Sequence, residues 1–165
     1  MKKKLKTEVI IALFRLLNAA KYTKMEDGDK IKAWKVLRAL KPIAEKFDDD
    51  IKTSREKLKP EGYDELLKRA QQIEADERKV FGEINSQQRE QEFIKALCEK
   101  YEEYSKFQNV GRDFIKLCND ALREFAQADV ELEFELLSES AFEKLMASND
   151  WSLSQAGFLA DNICA

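Results

Sequence analysis

One stretch of eight residues restricts the fold of this chain more than any other. In VELEFELL, residues 130–137, apolar and acidic side chains alternate with a period of two, the period of a half-buried strand. Val130, Leu132, Phe134 and Leu136 fall on one face; Glu131, Glu133 and Glu135 fall on the other. A lone strand leaves its backbone N–H and C=O groups unpaired, so this one needs a second strand and a helical backing.

Only the N-terminus, MKKKLKT, offers a match. There Lys2, Lys4 and Lys6 alternate with Met1, Lys3 and Leu5. Pairing residues ~2–6 with ~130–136 sets three lysines across from three glutamates and puts Leu5 on the apolar side. Each opposed pair contributes roughly 0.2–1 kcal/mol. Charge supports the same pairing: residues 1–47 hold thirteen Lys or Arg against five Asp or Glu, and residues 120–165 hold ten acids against two bases. Two copies of 130–137 pairing across a dimer is the other route, but it faces glutamate with glutamate.

The rest of the chain counts in threes and fours. Thr7 reads as an N-cap for a first helix over about 8–22. MEDGD (25–29) reads as a turn, with Asp29 as the next cap. A second helix follows, with Ile31, Trp34, Leu37, Leu40, Ala44, Phe47, Ile51 and Leu58 as its apolar set, and Pro42 is expected to kink or restart it. KPEGYD (59–64) ends it, and Asp64 is placed to cap a third helix reaching Phe81. From Gln87 to Ala126 the pattern is nearly unbroken. FIKALC (93–98) and FIKLC (114–118) stand three heptads apart there, which one apolar stripe explains without a duplication. Ser140 with Glu143 and Ser152 with Gln155 have capping-box spacing, predicting short helices at about 140–147 and 153–163. The fold class is therefore mainly α (α+β): a helical hairpin or bundle with a small two-stranded sheet. As a single domain over 1–165, it has a base of 1–28 plus 127–165 and a helical arm of about 29–126.

Composition narrows the chemistry. The 165 residues contain no histidine, which removes the usual general base and the commonest metal ligand. Cys98, Cys118 and Cys164 lie far apart and form no CxxC, so they read as reduced thiols packed as small apolar residues. Asp48, Asp49 and Asp50 fan out around a helix and cannot converge on one ion. Phosphate-binding and nucleophile-elbow motifs are missing. The expectation is a protein that is not an enzyme, with no cofactor and no metal. The apolar run after the N-terminal lysines, Val9 to Phe14, is too short for export or membrane spanning. That predicts a cytoplasmic protein with no membrane partner.

Two binding surfaces remain. Tyr101, Tyr104 and Phe107 are candidates for a protein interface or self-association through the long helices, the alternative being that they pack inward. Lys32, Lys35, Arg38 and Lys41, spaced by three, are candidates for a stripe that follows nucleic-acid phosphates. Against the stripe stand a pI near 5.3, the lack of interleaved exposed aromatics, and helix-internal pairs such as Lys41–Glu45.

The order of features resembles a group of small uncharacterised proteins encoded by tailed phages and prophages. A basic strand leads into a capped helix (LKTEVIIALFRLL). A long helix carries KAWKVLRALKPIAEKFDDDIKTSREKL, and a glutamate-rich strand (DVELEFELLSESAF) precedes a short C-terminal helix. The resemblance covers about 2–60 and 129–163, while the block 64–126 is longer and more helical than that pattern. It brings no catalytic residues. It implies a phage or mobile-element origin and a role through protein contacts, in assembly or in interference with a host protein.

Overall fold

The computed structural model describes residues 2–165; Met1 lies outside the described residues. About 75% of the chain is helical. The elements are β1 (Lys2–Lys6), α1 (Thr7–Asn18), α2 (Asp27–Leu58), α3 (Tyr63–Phe81), α4 (Gln87–Lys100), α5 (Glu102–Gln127), β2 (Asp129–Glu133), α6 (Glu139–Ala147) and α7 (Leu153–Ile163). They form two compact units. The terminal unit holds residues 1–52 and 122–165, and the middle unit holds 53–121.

In the terminal unit β1 and β2 pair antiparallel, as the charge pattern predicts. The register differs. Lys2, Lys4 and Lys6 face Glu133, Glu131 and Asp129, so Glu135 falls beyond the sheet. The corner of the chain explains the shift. Thr7 donates both its backbone N–H and its hydroxyl to the carbonyl of Ala128, each at 2.9 Å, which pins the strands one step from the turn. Thr7 is thus the first residue of α1, and Lys6 stands at the cap position without a side-chain bond. The ion pairs form at Asp129, with Lys4 at 3.1 Å and Lys6 at 3.4 Å. Their effect holds the Asp129 carboxyl below its usual range, Lys4 contributing most.

The lysines of β1 have a second role. Neither α5 nor α7 has a basic residue in its last turn, where a cation stabilises the exposed carbonyls. Lys3 Nζ donates to the carbonyls of Asp161 and Asn162 at 2.8 and 3.0 Å, closing α7. Lys6 Nζ donates to the carbonyl of Gln127 at 3.0 Å, closing α5. After β2 the chain adds a parallel bridge between Leu137 and Cys164.

Behind the sheet lies an aliphatic core in which Ile10, Leu13, Val36, Leu40, Leu137, Leu145, Leu159 and Ile163 have no exposed surface. The helix starts are capped by Ser138, which accepts from the Ala141 N–H, and by Ser152 in a full capping box with Gln155. The expected cap at Ser140 is displaced by two residues, because Ser138 follows extended backbone and Ser140 already lies inside α6.

Three boundaries depart from the sequence reading. α1 stops at Asn18, and the loop after it is fastened by Asn149, whose side chain accepts from Lys21 N–H and donates to Lys21 C=O, both at 2.8 Å. α2 begins at Asp27, so Asp29 lies in its first turn rather than at its cap. It also runs through Pro42 unbroken. Proline removes the bond to the Arg38 carbonyl and crowds it with its ring, and because Arg38 and Pro42 are both exposed the helix absorbs this on its solvent side.

In the middle unit, Gly62 (φ 71°) precedes α3 in the left-handed conformation that glycine tolerates best. Asp64 lies in the first turn and pairs with Lys59 at 3.0 Å instead of capping. The stretch 87–126 is two helices. Tyr101 adopts extended backbone (φ −122°, ψ 113°), donates its N–H to Leu97 at 2.8 Å and accepts at its carbonyl from Ser105 at 3.1 Å. One residue therefore ends α4 and starts α5, satisfying one carbonyl at the end of α4 and one N–H at the start of α5.

Candidate interaction groove

The buried face of α2 is made of Ala33, Val36, Leu40 and Ala44. Two of these are alanines, whose small side chains permit close helix packing and give little hydrophobic signal. The larger Ile31 and Trp34, expected in the core, are 55% and 54% exposed. A spacing of 3.6 residues per turn accounts for what lies beside Trp34. Residues 34, 38, 41 and 45, spaced by four, three and four, share one side of α2. Trp34, Arg38, Lys41 and Glu45 therefore form the exposed stripe, an arrangement hidden while Trp34 was counted as core.

With Leu37 and Pro42 from α2 and Phe14 and Asn18 from α1, they line a groove of about 430 Å³ within the terminal unit. The Arg38 guanidinium lies 5.3 Å from the centre of the Trp34 ring, within the range of a cation–π contact. Lys41 pairs with Glu45 at 3.5 Å. The floor is thus aromatic and aliphatic, while the rim is basic with one acid already engaged.

The predicted basic stripe does not hold together as a line. A step of three residues falls about 60° short of a full turn, so nine residues carry Lys41 roughly halfway round from Lys32. Lys32 instead pairs with Glu135 at 3.4 Å. Arg38 and Lys41 meet in the groove, and Lys35 is exposed outside it. Lys35 and Arg38 form no ion pair among the described residues.

The predicted aromatic interface lies in the middle unit. Tyr104 is fully buried against Ala70, Ile73, Phe93 and Leu97, with Tyr101 and Phe107 half-buried around them. Tyr104 donates its hydroxyl to Glu74 at 2.7 Å, and Tyr101 donates to Glu77 at 2.6 Å. Burial, followed by the Glu74 bond, raises the Tyr104 hydroxyl well above its ordinary range. Phe107 leans on Tyr63, ring centres 6.0 Å apart. These aromatics contact α3 and one another, leaving Tyr104 no surface for a partner. A larger open hollow of about 750 Å³ lies at the α4–α5 junction. Its walls come from the single stretch 100–110, where Lys100, Glu102, Glu103 and Lys106 stand beside Tyr101 and Val110.

Cys98, Cys118 and Cys164 are free and half-buried. Among the described residues no group of three or more His, Cys, Asp or Glu could hold a metal ion, and no helix is long and apolar enough to cross a membrane. Compared with family models, curated proteins and solved structures, the chain matches none.

Proposed function

We propose that this chain is a non-catalytic binding module that engages a protein partner through the α1–α2 groove, acting in assembly or interference as the phage-type resemblance implies. The observation that carries this reading is Trp34, 54% exposed beside Arg38 on an apolar floor. Tryptophan and arginine are the residues that most often dominate protein interfaces, and they do so from pockets that a partner can desolvate. A tryptophan side chain buries 150–250 Å². Covering its exposed half removes roughly 100 Å² from water, worth about 2.5 kcal/mol at 25 cal/mol per Å².

Affinity capture from the source organism, with wild type and Trp34→Ala side by side, tests the reading. A partner retained by wild type should be lost or weakened about 70-fold with Trp34→Ala, the ratio that ~2.5 kcal/mol gives. Partners indifferent to Trp34, or none at all together with a strictly monomeric mass in solution, defeat it.

The same exposed ring favours a second reading, in which Trp34 stacks on a base and Lys35, Arg38 and Lys41 meet phosphates. Its weakness is magnitude. Lys32 and Lys41 are already paired with acids. Two unpaired cations give a salt slope near −1.4 on a single strand, compared with the six to ten phosphate contacts of strong binders. A gel shift that persists at physiological salt would favour this reading.

A further inference from the structure

We propose that the occupant of the α1–α2 groove is an acidic amphipathic segment of a protein, its apolar anchor seated against Trp34, Leu37 and Phe14 and a carboxylate on Arg38. The inference rests on the protein-binding reading and adds the chemistry of the partner. Charge complementarity carries it. The groove has two cations, Arg38 and Lys41, and a single acid, Glu45, which Lys41 engages at 3.5 Å. Arg38 has an aromatic ring but no carboxylate beside it. A guanidinium stacked on a ring keeps its edge N–H groups free, and a carboxylate can accept two of them at once.

The backbone adds an acceptor. Pro42 has no N–H to give to the Arg38 carbonyl, and both residues line the groove. That carbonyl, left without its helical donor, and the exposed side chain of Asn18 are the polar groups here that can serve a partner's backbone. A nucleic acid would use the cations but would leave Phe14, Leu37 and Pro42 facing a sugar–phosphate chain, a poorer match for an apolar floor.

The test uses three labelled probes on the wild-type full chain, read by anisotropy. They are a helical peptide with leucine at i, i+3, i+4 and i+7 and glutamate elsewhere, the same peptide with glutamine for glutamate, and a twelve-residue oligothymidylate. The glutamate peptide should bind at least tenfold more tightly than the glutamine peptide at low salt. That gap should close near 0.5 M salt, where screening acts within a few ångströms. Arg38→Glu should abolish the preference, and a lysine version of the peptide should recover binding to that variant. Equal binding of the glutamate and glutamine peptides overturns the acidic partner while leaving a protein-binding groove in place. Binding of oligothymidylate alone, or of no probe, overturns both.

Discussion

The two units reach stability by different means. Among the described residues, the terminal unit buries fifteen hydrophobic residues in one cluster, nearly all aliphatic, with Thr7 as its buried polar member. The middle unit buries six, with Ala70, Ile73, Phe93, Leu97 and Tyr104 in one cluster and Phe114 packed on Tyr63. It surrounds them with charge: Arg69–Glu103 at 2.9 Å, Arg78–Glu90 at 2.8 Å and Lys100–Glu77 at 2.7 Å. Arginines also cover its rings, Arg78 at 4.9 Å from Phe93 and Arg89 at 4.5 Å from Phe81. Exposed ion pairs contribute little each, so the middle unit depends on a handful of apolar side chains. Regions with few buried apolar contacts open at lower free energy. The contrast also separates tasks. In the terminal unit a large core frees Trp34 to face solvent, whereas in the middle unit the aromatics are needed to make the core.

The sharpest way to break this comparison is Phe93→Ala. It should destabilise by about 4 kcal/mol, and amide exchange should accelerate across α3 and α4 while α1, α6 and α7 stay protected. Equal loss of protection in both groups would mean that the two cores melt as one. Deleting residues 2–6 probes the other side. It exposes β2 and uncovers the core beside Leu5, lowering stability by about 3 kcal/mol with α1 and α7 the first to lose protection. An unchanged melting temperature would refute the role given to β1. Tyr104→Phe should lower stability by about 1 kcal/mol in urea titration, since Glu74 and Gln108 each lose a partner.

The smallest effect is set by pH. Glu77, with its side chain 17% exposed, is held below its ordinary 4.5 first by the bond from Lys100 and then by that from Tyr101. Its folded value lies below its unfolded one. The stabilisation is therefore complete above about pH 5 and is lost as the pH falls through the folded value. Glu77→Gln takes up no proton there, so stability measured from pH 5 downwards should fall less steeply than in wild type.

Much of the architecture was legible because its causes are local or coarse. The alternation in 130–136 and the opposite charges of the two chain ends were enough to pair β1 with β2. The register was not legible, since it depends on Thr7 meeting Ala128, a contact 121 residues apart in sequence. The break at Tyr101 has no glycine or proline to announce it. It is fixed from outside the segment, where Lys100 and Tyr101 both reach Glu77. The groove was missed for the opposite reason. Trp34 looks like core to any count of apolar residues, and only the alanine-lined face of α2 shows that it is not. Spacing by three suggested a basic stripe that helical geometry then dispersed.

The pairing of β1 with β2 sets an order on synthesis. Residues 53–121 form a unit continuous in sequence, and a ribosome has made all of it before residues 129–133 appear. The terminal unit is assembled from two separated pieces, so its first strand and first helix must wait for more than a hundred residues of chain. While it waits, the apolar run Val9–Phe14 has only the α2 part of its core, Ala33, Val36 and Leu40, to pack on, and β1 has no strand to join. The four lysines in that strand then act as a guard, since like charges discourage two nascent copies from pairing edge to edge. The residues that later close α5 and α7 are the same ones that keep the unfinished chain apart from its neighbours.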